Sequence, residues 1–154
     1  MLRLGPGMEM DFGGIGKEYA VDRALAMIRE QTDIGVLVNF GGDIAATGRR
    51  QGSPPWAVGI EEPDALDQAR RVIHLEAGAL ATSGDSRKFV MMNGKRYGHI
   101  LNPLNGWPVA DAPRSVTVAA NTCTEAGFLS TLGILSGKNA GTILSNADVP
   151  YWLS

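Results

Sequence analysis

The sequence predicts an α+β fold: a mixed or antiparallel sheet with a β-hairpin and two main packing helices. Three observations lead there. Asn93-Gly94 lies between two apolar runs, a strong hairpin signal because both central residues of a type I′ turn need φ > 0. Ala20, Ala24, Leu25, Met27 and Ile28 make one apolar stripe at helical spacing, opposite Arg23, Arg29 and Glu30. Hairpins are mixed with helices instead of alternating strictly with them, which favours α+β over a doubly wound parallel sheet. The length of 154 residues suits one domain, and a composition 44% hydrophobic and 19% charged is that of a globular chain. Twenty glycines point to many special backbone positions. A net charge of −2 gives no basic footprint for nucleic acid, and the single Cys123 excludes an internal disulfide. No apolar run approaches the roughly 18–20 residues of a membrane span, so no transmembrane segment is expected. The opening MLRLGPGMEMDF lacks the apolar core of a signal peptide.

Taken in order, Leu2–Gly7 reads as a strand end and a turn, and Asp11–Gly16 as a glycine-rich loop that opens a helix from about Gly16 to Gln31. Such a loop either offers backbone N–H groups to an anion or makes a tight turn for close helix–strand packing. Lys17 on the first turn opposes the helix dipole, so it faces a phosphate or is solvated. Gly35–Phe40 reads as a short buried strand, Gly41-Gly42-Asp43 as its turn or bulge, and Ile44–Thr47 as the next strand. Trp56–Ile60 is a strand followed by an acidic, solvated linker at Glu61–Asp67. Arg71–Glu76 alternates as a half-buried strand does, which puts His74 on its exposed face. Ser115–Ala120 is a strand, Thr122 or Thr124 caps a helix to about Leu135, Lys138–Ser145 is a short helix and Val149–Leu153 a closing strand.

The stretch from Ala79 to Val109 concentrates the polar and turn-forming residues. It reads as a strand ending in the tight turn Ala81-Thr82-Ser83-Gly84-Asp85, a second strand Arg87–Met92, and a third, Lys95–Leu101. The hairpin carries Tyr97-Gly98-His99-Ile100 back toward Ser83-Gly84-Asp85, where a histidine, a hydroxyl and a carboxylate can converge. An ordinary surface histidine is the alternative.

These residues resemble a known family. Ala81–Asp85 (ATSGD), then Gly94–Ile100 and Gly106–Val109, are similar to the late signature of the ApbE family, the FAD:protein FMN transferases. That signature runs TSGD, then Gly-Lys-Arg-Tyr-x-His-Ile-x-Asp/Asn-Pro, then Gly-x-Pro-Val. Met10–Asp22 (MDFGGIGKEYAVD) is similar to the family's Asp-x-Gly-Gly/Ala-Ile/Val-Ala/Gly-Lys-Gly-Tyr-Ala/Val-x-Asp, and Asn39–Asp43 (NFGGD) to its Asn-x-Gly-Gly-Asp/Asn. In the family the first of these motifs lies well inside the chain, whereas here it begins at Asp11. The resemblance therefore implies a single domain, 1–154, matching the C-terminal portion of the family fold without its N-terminal region.

The resemblance also implies a chemistry. FAD is split at its pyrophosphate, and FMN passes to a threonine or serine hydroxyl of an acceptor protein in a Mg²⁺-dependent phosphoryl transfer. By matching position, Asp11 and Lys17 contact FAD, Ser83, Gly84 and Asp85 line its pocket, and Ile100 packs on the nucleotide. The backbone carbonyl of Gly14 and the hydroxyl of Thr131 are metal ligands, and His99 is the general base or orienting group. Thr131 read from the helix alone makes a back-bond to the preceding turn. The family helix Ala-Asp-x-x-Ser/Thr-Thr carries an aspartate four residues before that threonine, where this chain has Gly127. A hard cation wants charged oxygens, so Mg²⁺ loses a ligand there. Glu125 lies roughly 200° around the helix and substitutes poorly. A non-catalytic flavin-binding or remnant domain is the alternative. Family members are often exported or membrane-anchored, which leaves the compartment open. A partial fold exposes apolar surface, so a homo-oligomer is expected.

Overall fold

The computed structural model describes residues 3–154. Its centre is a five-stranded, wholly antiparallel sheet with strand order β1-β2-β5-β8-β9. The strands are β1 Leu37–Phe40, β2 Asp43–Ala46, β5 Gly78–Gly84, β8 Ser115–Ala120 and β9 Tyr151–Leu153. Two further hairpins stand apart from it: β3 Trp56–Glu62 with β4 Ala65–Leu75, and β6 Phe89–Met92 with β7 Lys95–Gly98. The helices are α1 Gly16–Arg29, α2 Cys123–Leu135 and α3 Ala140–Asn146, the last preceded by a 3₁₀ turn at Gly137–Asn139.

Strand alternation sorts the core into two layers. Ala45, Ala79 and Ala81 face α1 and α2, where they meet Val21, Cys123 and Ala126. Ile44, Ala46 and Leu80 face the other way, under Leu75, Trp56 and Ile73 of the β3–β4 hairpin. Val116 and Val118 of β8 pack on Ile134 and Leu144. Small residues let α2 lie close on the sheet: a Cβ at Gly133 would stand 3.0 Å from Val116.

The expected elements are present, with shifted bounds. The Asn93-Gly94 turn has φ of 52° and 73°, as a type I′ turn requires. Gly41 and Gly42 (φ 63° and 102°) make a second two-residue turn, joining β1 to β2. The expected Arg87–Met92 and Lys95–Leu101 strands are shorter, because chain beyond Gly98 leaves the ladder and Leu101 bridges Pro108 instead. β1 is the sheet edge rather than a fully buried strand: Val38 is buried, but Asn39 and Phe40 are exposed. The expected acidic linker is corrected most. Glu61 and Glu62 finish β3, and Ala65 already begins β4, so the charges decorate a tight hairpin. His74 pairs across to Ala57 and is exposed, as its alternation predicts. Arg3 and Leu4 form no strand, Leu2 lies outside the described residues, and the turn closes from Met8 N–H to the Gly5 carbonyl at 3.2 Å.

Candidate active site

Two cavities frame the candidate site. The first, about 120 Å³, lies between α1 and α2 and is lined by Gly14, Ile15, Glu18, Thr124, Phe128 and Thr131, among others. The second, about 250 Å³, lies between the β6–β7 hairpin and the Val109–Arg114 segment, and includes Gly84, Asp85, His99 and Ile100. At the end of β5, Ser83 bonds to Ser130 and Thr131 of α2, while Gly84 and the following Asp85 line the second cavity.

The first cavity is built on helix ends. Asp22 of α1 accepts hydrogen bonds from the backbone N–H groups of Cys123 and Thr124, at 2.7 and 2.8 Å. A carboxylate there satisfies unpaired N–H groups and complements the positive end of α2. Thr122 completes the cap by accepting from Glu125 N–H at 3.1 Å. Lys17 forms an ion pair with the buried Asp43, so its charge on the first turn of α1 is met within the chain. Asp11 turns back on its own loop and accepts from Gly13 N–H at 2.7 Å. Gly14 reaches the cavity wall.

Hydroxyl groups form a relay across the β5–α2 contact. Ser130 donates to the Gly127 carbonyl at 3.0 Å. Its only proton is thereby used, so Ser83 donates to Ser130 (2.8 Å) and Thr131 donates to Ser83 (2.9 Å). Thr131 thus bonds to Ser83 rather than only to its own helix, and its oxygen keeps its lone pairs.

Glu18 occupies this cavity and was missed in the site expected from the sequence. It is 9% exposed, and its Oε2 is buried without a hydrogen-bond partner. Burial, the largest cause, pushes its carboxyl above the ordinary value against an opposing backbone hydrogen bond; Asp43 and Asp22 add to the rise and Lys17 opposes it. Cys123, fully buried beside these carboxylates, has its thiol pushed up to about 12, mainly by burial. The signal for Glu18 was present in the sequence, since the resembled motif has glycine between its lysine and tyrosine where this chain has Glu18. An orphaned buried carboxylate beside a threonine oxygen and a backbone carbonyl is a donor set suited to a hard divalent cation. The residues present therefore fit such an ion.

The second cavity is of opposite character. Asp85 is clamped between two guanidinium groups: Arg96 Nε donates to Oδ2 at 2.9 Å and Arg114 Nε to Oδ1 at 2.7 Å. Arg96 also donates to the Asp85 carbonyl at 2.6 Å. The Asp85 hydrogen bond holds Arg114 above its ordinary pKa against the effect of burial, and Asp64 adds to the rise. Nη2 of Arg114 is buried with no hydrogen-bond partner. Gly84 permits the close crossing beneath, since a Cβ there would lie 2.5 Å from the Arg114 carbonyl. His99 Nδ1 is 3.2 Å from the Lys88 carbonyl, which can only accept. This hydrogen bond places the proton on Nδ1 and leaves Nε2 of the exposed ring as an acceptor.

The structure thus brings His99, Asp85, Gly84 and Ile100 to one cavity and Gly14 and Thr131 to the other, with Ser83 bonded to Thr131. The hydroxyl expected beside His99 and Asp85 turns to α2, because Ser83 continues the face of Ala79 and Ala81. Lys17 and Asp11 line neither cavity. Arg114 had no signal in the sequence, while Arg96 stood inside the Gly94–Ile100 motif.

Comparison with known proteins adds four likenesses. A model of the ApbE family matches residues 1–151. An FAD:protein FMN transferase of Vibrio cholerae is 32% identical over 145 residues, which are 93% of this chain and 43% of that protein. The crystal structure of the ApbE protein of Thermotoga maritima matches with a TM-score of 0.85 and 35% identity, over 96% of this chain and 49% of that one. That of the apo form of the Pseudomonas stutzeri flavinyl transferase ApbE matches at 0.80 and 30%, over 94% and 45%. The chain spans less than half the length of these relatives.

Proposed function

This chain belongs to the ApbE family, and on that premise we propose that it serves FMN transfer from FAD to a threonine or serine hydroxyl of an acceptor protein. The observation that carries this reading is that the end of β5 reaches both sites: Ser83 bonds to Thr131, which lines the first cavity with Glu18 and Gly14, and Gly84 lines the second, which bears Arg96, Arg114 and His99. Phosphoryl transfer needs both, a cation beside the phosphates and preorganised donors where charge develops.

The roles follow from the atoms available. His99 Nε2 accepts the proton of the acceptor hydroxyl as its oxygen bonds to the FMN phosphorus. The bond from that phosphorus to the bridging oxygen breaks, and AMP leaves with the electron pair. The unpartnered Nη2 of Arg114 meets phosphate oxygens as an N–H donor. Ser83 holds Thr131 in place through the relay, Gly84 and Asp85 shape the wall, and Ile100 packs on the nucleotide. Asp11 and Lys17 lie beside the loop that opens α1 and approach FAD from there. Gly14 and Thr131 hold the divalent metal, Mg²⁺, with Glu18 beside them. When bound, the ion supplies charge neutralisation at the phosphates.

A cavity of about 250 Å³ is smaller than the roughly 300–1,000 Å³ usual for drug-sized ligands. The flavin rings therefore rest on a surface that this unit shares with further polypeptide or with a second copy of the chain, and self-association is the arrangement we favour. The same size favours a second reading, a domain that holds flavin without transferring it. Titrating the purified chain with FAD, then supplying an acceptor peptide with a single threonine and Mg²⁺, separates the readings. A covalently flavinylated peptide is expected. Binding without transfer supports the second reading, and no binding overturns both.

A further inference from the structure

Glu18, which lines the first cavity, packs directly against Gly127 of α2. A Cβ built at Gly127 would lie 2.6 Å from Glu18 Cγ, 2.8 Å from Oε1 and 3.0 Å from Cδ. Real Cβ atoms do not approach so closely, so the Glu18 carboxylate fills the volume that a side chain at position 127 would take. The two positions also differ from the resembled family pattern in opposite senses. The pattern has glycine on α1 where this chain has Glu18, and aspartate on α2 where it has Gly127. Set against that pattern, this chain carries its carboxylate on α1 instead of α2, in the same space.

The other acidic groups nearby have partners. Asp43 is paired with Lys17, and Asp22 accepts two backbone N–H groups at the start of α2. Glu18 alone keeps a buried oxygen, Oε2, without a hydrogen bond among the described residues. A buried polar oxygen left in this state is costly unless a further group meets it. Thr131, with its proton committed to Ser83, and Gly14 line the same cavity and add neutral oxygen donors. One carboxylate, one hydroxyl and one carbonyl leave room for water or phosphate oxygens to complete the shell of a small hard cation.

We propose that Glu18 is the anionic ligand of a divalent cation in this cavity, in exchange for the carboxylate that position 127 no longer carries. This rests on the transferase reading for its purpose and on the cavity for its place. The exchange is reciprocal: restoring aspartate at 127 without removing Glu18 forces two side chains into one volume. Replacing both together rebuilds a cation site from the other helix.

The test is Mn²⁺ binding to the purified chain, followed by electron paramagnetic resonance and calorimetry without flavin. Native chain, Glu18→Gln, Gly127→Asp and the double variant Glu18→Gly with Gly127→Asp are compared, with folding checked by circular dichroism in EDTA. Glu18→Gln, which keeps the shape, should weaken binding by at least roughly tenfold, the lower end of losses seen when a metal site is perturbed. Gly127→Asp alone should melt lower than the native chain in EDTA, and the double variant should recover both melting temperature and Mn²⁺ binding. Undiminished Mn²⁺ binding by folded Glu18→Gln, or absence of Mn²⁺ binding by the native chain, overturns the proposal. FMN transfer measured on the same samples keeps the two readings separate. Glu18-dependent Mn²⁺ binding without transfer upholds the ligand and removes the transferase. Transfer with Mn²⁺ binding indifferent to Glu18 does the reverse.

Discussion

The two cavities have opposite electrostatics. Glu18 lies among Asp43, Asp22 and Lys17, three carboxylates with one cation. The second cavity places Arg96 and Arg114 around one carboxylate, Asp85. One side gathers carboxylates and the other guanidinium groups, and neighbouring residues at one strand end reach toward each. Charge separation of this kind is obtained cheaply, because adjacent residues of a strand point to opposite faces. Loops complete both, Gly14-Ile15 on one side and Val109–Arg114 on the other, while Ser83 bonds toward the first and Gly84-Asp85 line the second.

Three changes break or sharpen this contrast. The largest effect is expected from His99→Ala, which removes the only histidine beside the guanidinium cavity and leaves the carboxylate cavity intact. FMN transfer to an acceptor peptide should fall by roughly 10²–10⁴-fold, the usual contribution of general acid–base catalysis, with the thermal midpoint unchanged. Asp85→Asn comes next. It leaves Arg96 and Arg114 facing each other without their shared anion, and stability should fall by about 2 kcal/mol, typical of a lost charged hydrogen bond in a partly exposed setting. Urea unfolding with an unchanged slope is the check. An unchanged midpoint would mean that the clamp contributes nothing to the fold.

The smallest effect concerns the carboxylate side. The thiol of Cys123 is raised in the folded chain from 9.0 to about 12, so the folded state binds its proton more tightly than the unfolded state. Its stabilising contribution is full below pH 9 and is lost as pH rises toward about 12. The slope within that window is about −1.4 kcal/mol per pH unit at most. Unfolding measured at pH 8 and 10 should fall more steeply for the native chain than for Cys123→Ala. Equal slopes would mean that the thiol does not sense the buried, acidic surroundings of α2.

Much of the framework could be read from local signals. Asn93-Gly94 and Gly41-Gly42 announce two-residue turns, and both have positive φ at both positions. Ser115–Ala120 and the helix to Leu135, capped by Thr122, match to the residue. Glu61–Asp67 misled because a charged run looks the same on a solvated linker and on a tight hairpin. At the site, motif positions found residues but not partners. The Ser83–Ser130–Thr131 relay and the Asp22 cap join segments far apart in sequence, and no local pattern encodes them. Lys17 illustrates the limit: its place against the helix dipole is visible in the sequence, whereas its pairing with Asp43 depends on how α1 lies against β2. Glu18 was legible only as a departure from a pattern, and its meaning appears once Gly127 is seen across from it.

The Asp22 cap also bears on how the site comes into being. Asp22 and the N–H groups it accepts are separated by 101 and 102 positions. The loop they close is most of the chain, and contacts of such range form slowly and late, after shorter-range structure has reduced the entropy of closing them. The gap between α1 and α2 therefore has no second wall until the sheet between them is in place. A growing chain can fold its hairpins early, yet the cavity between α1 and α2 closes only near the end of folding. The cavity is in that sense a report on completed folding, acquired in one step rather than by degrees.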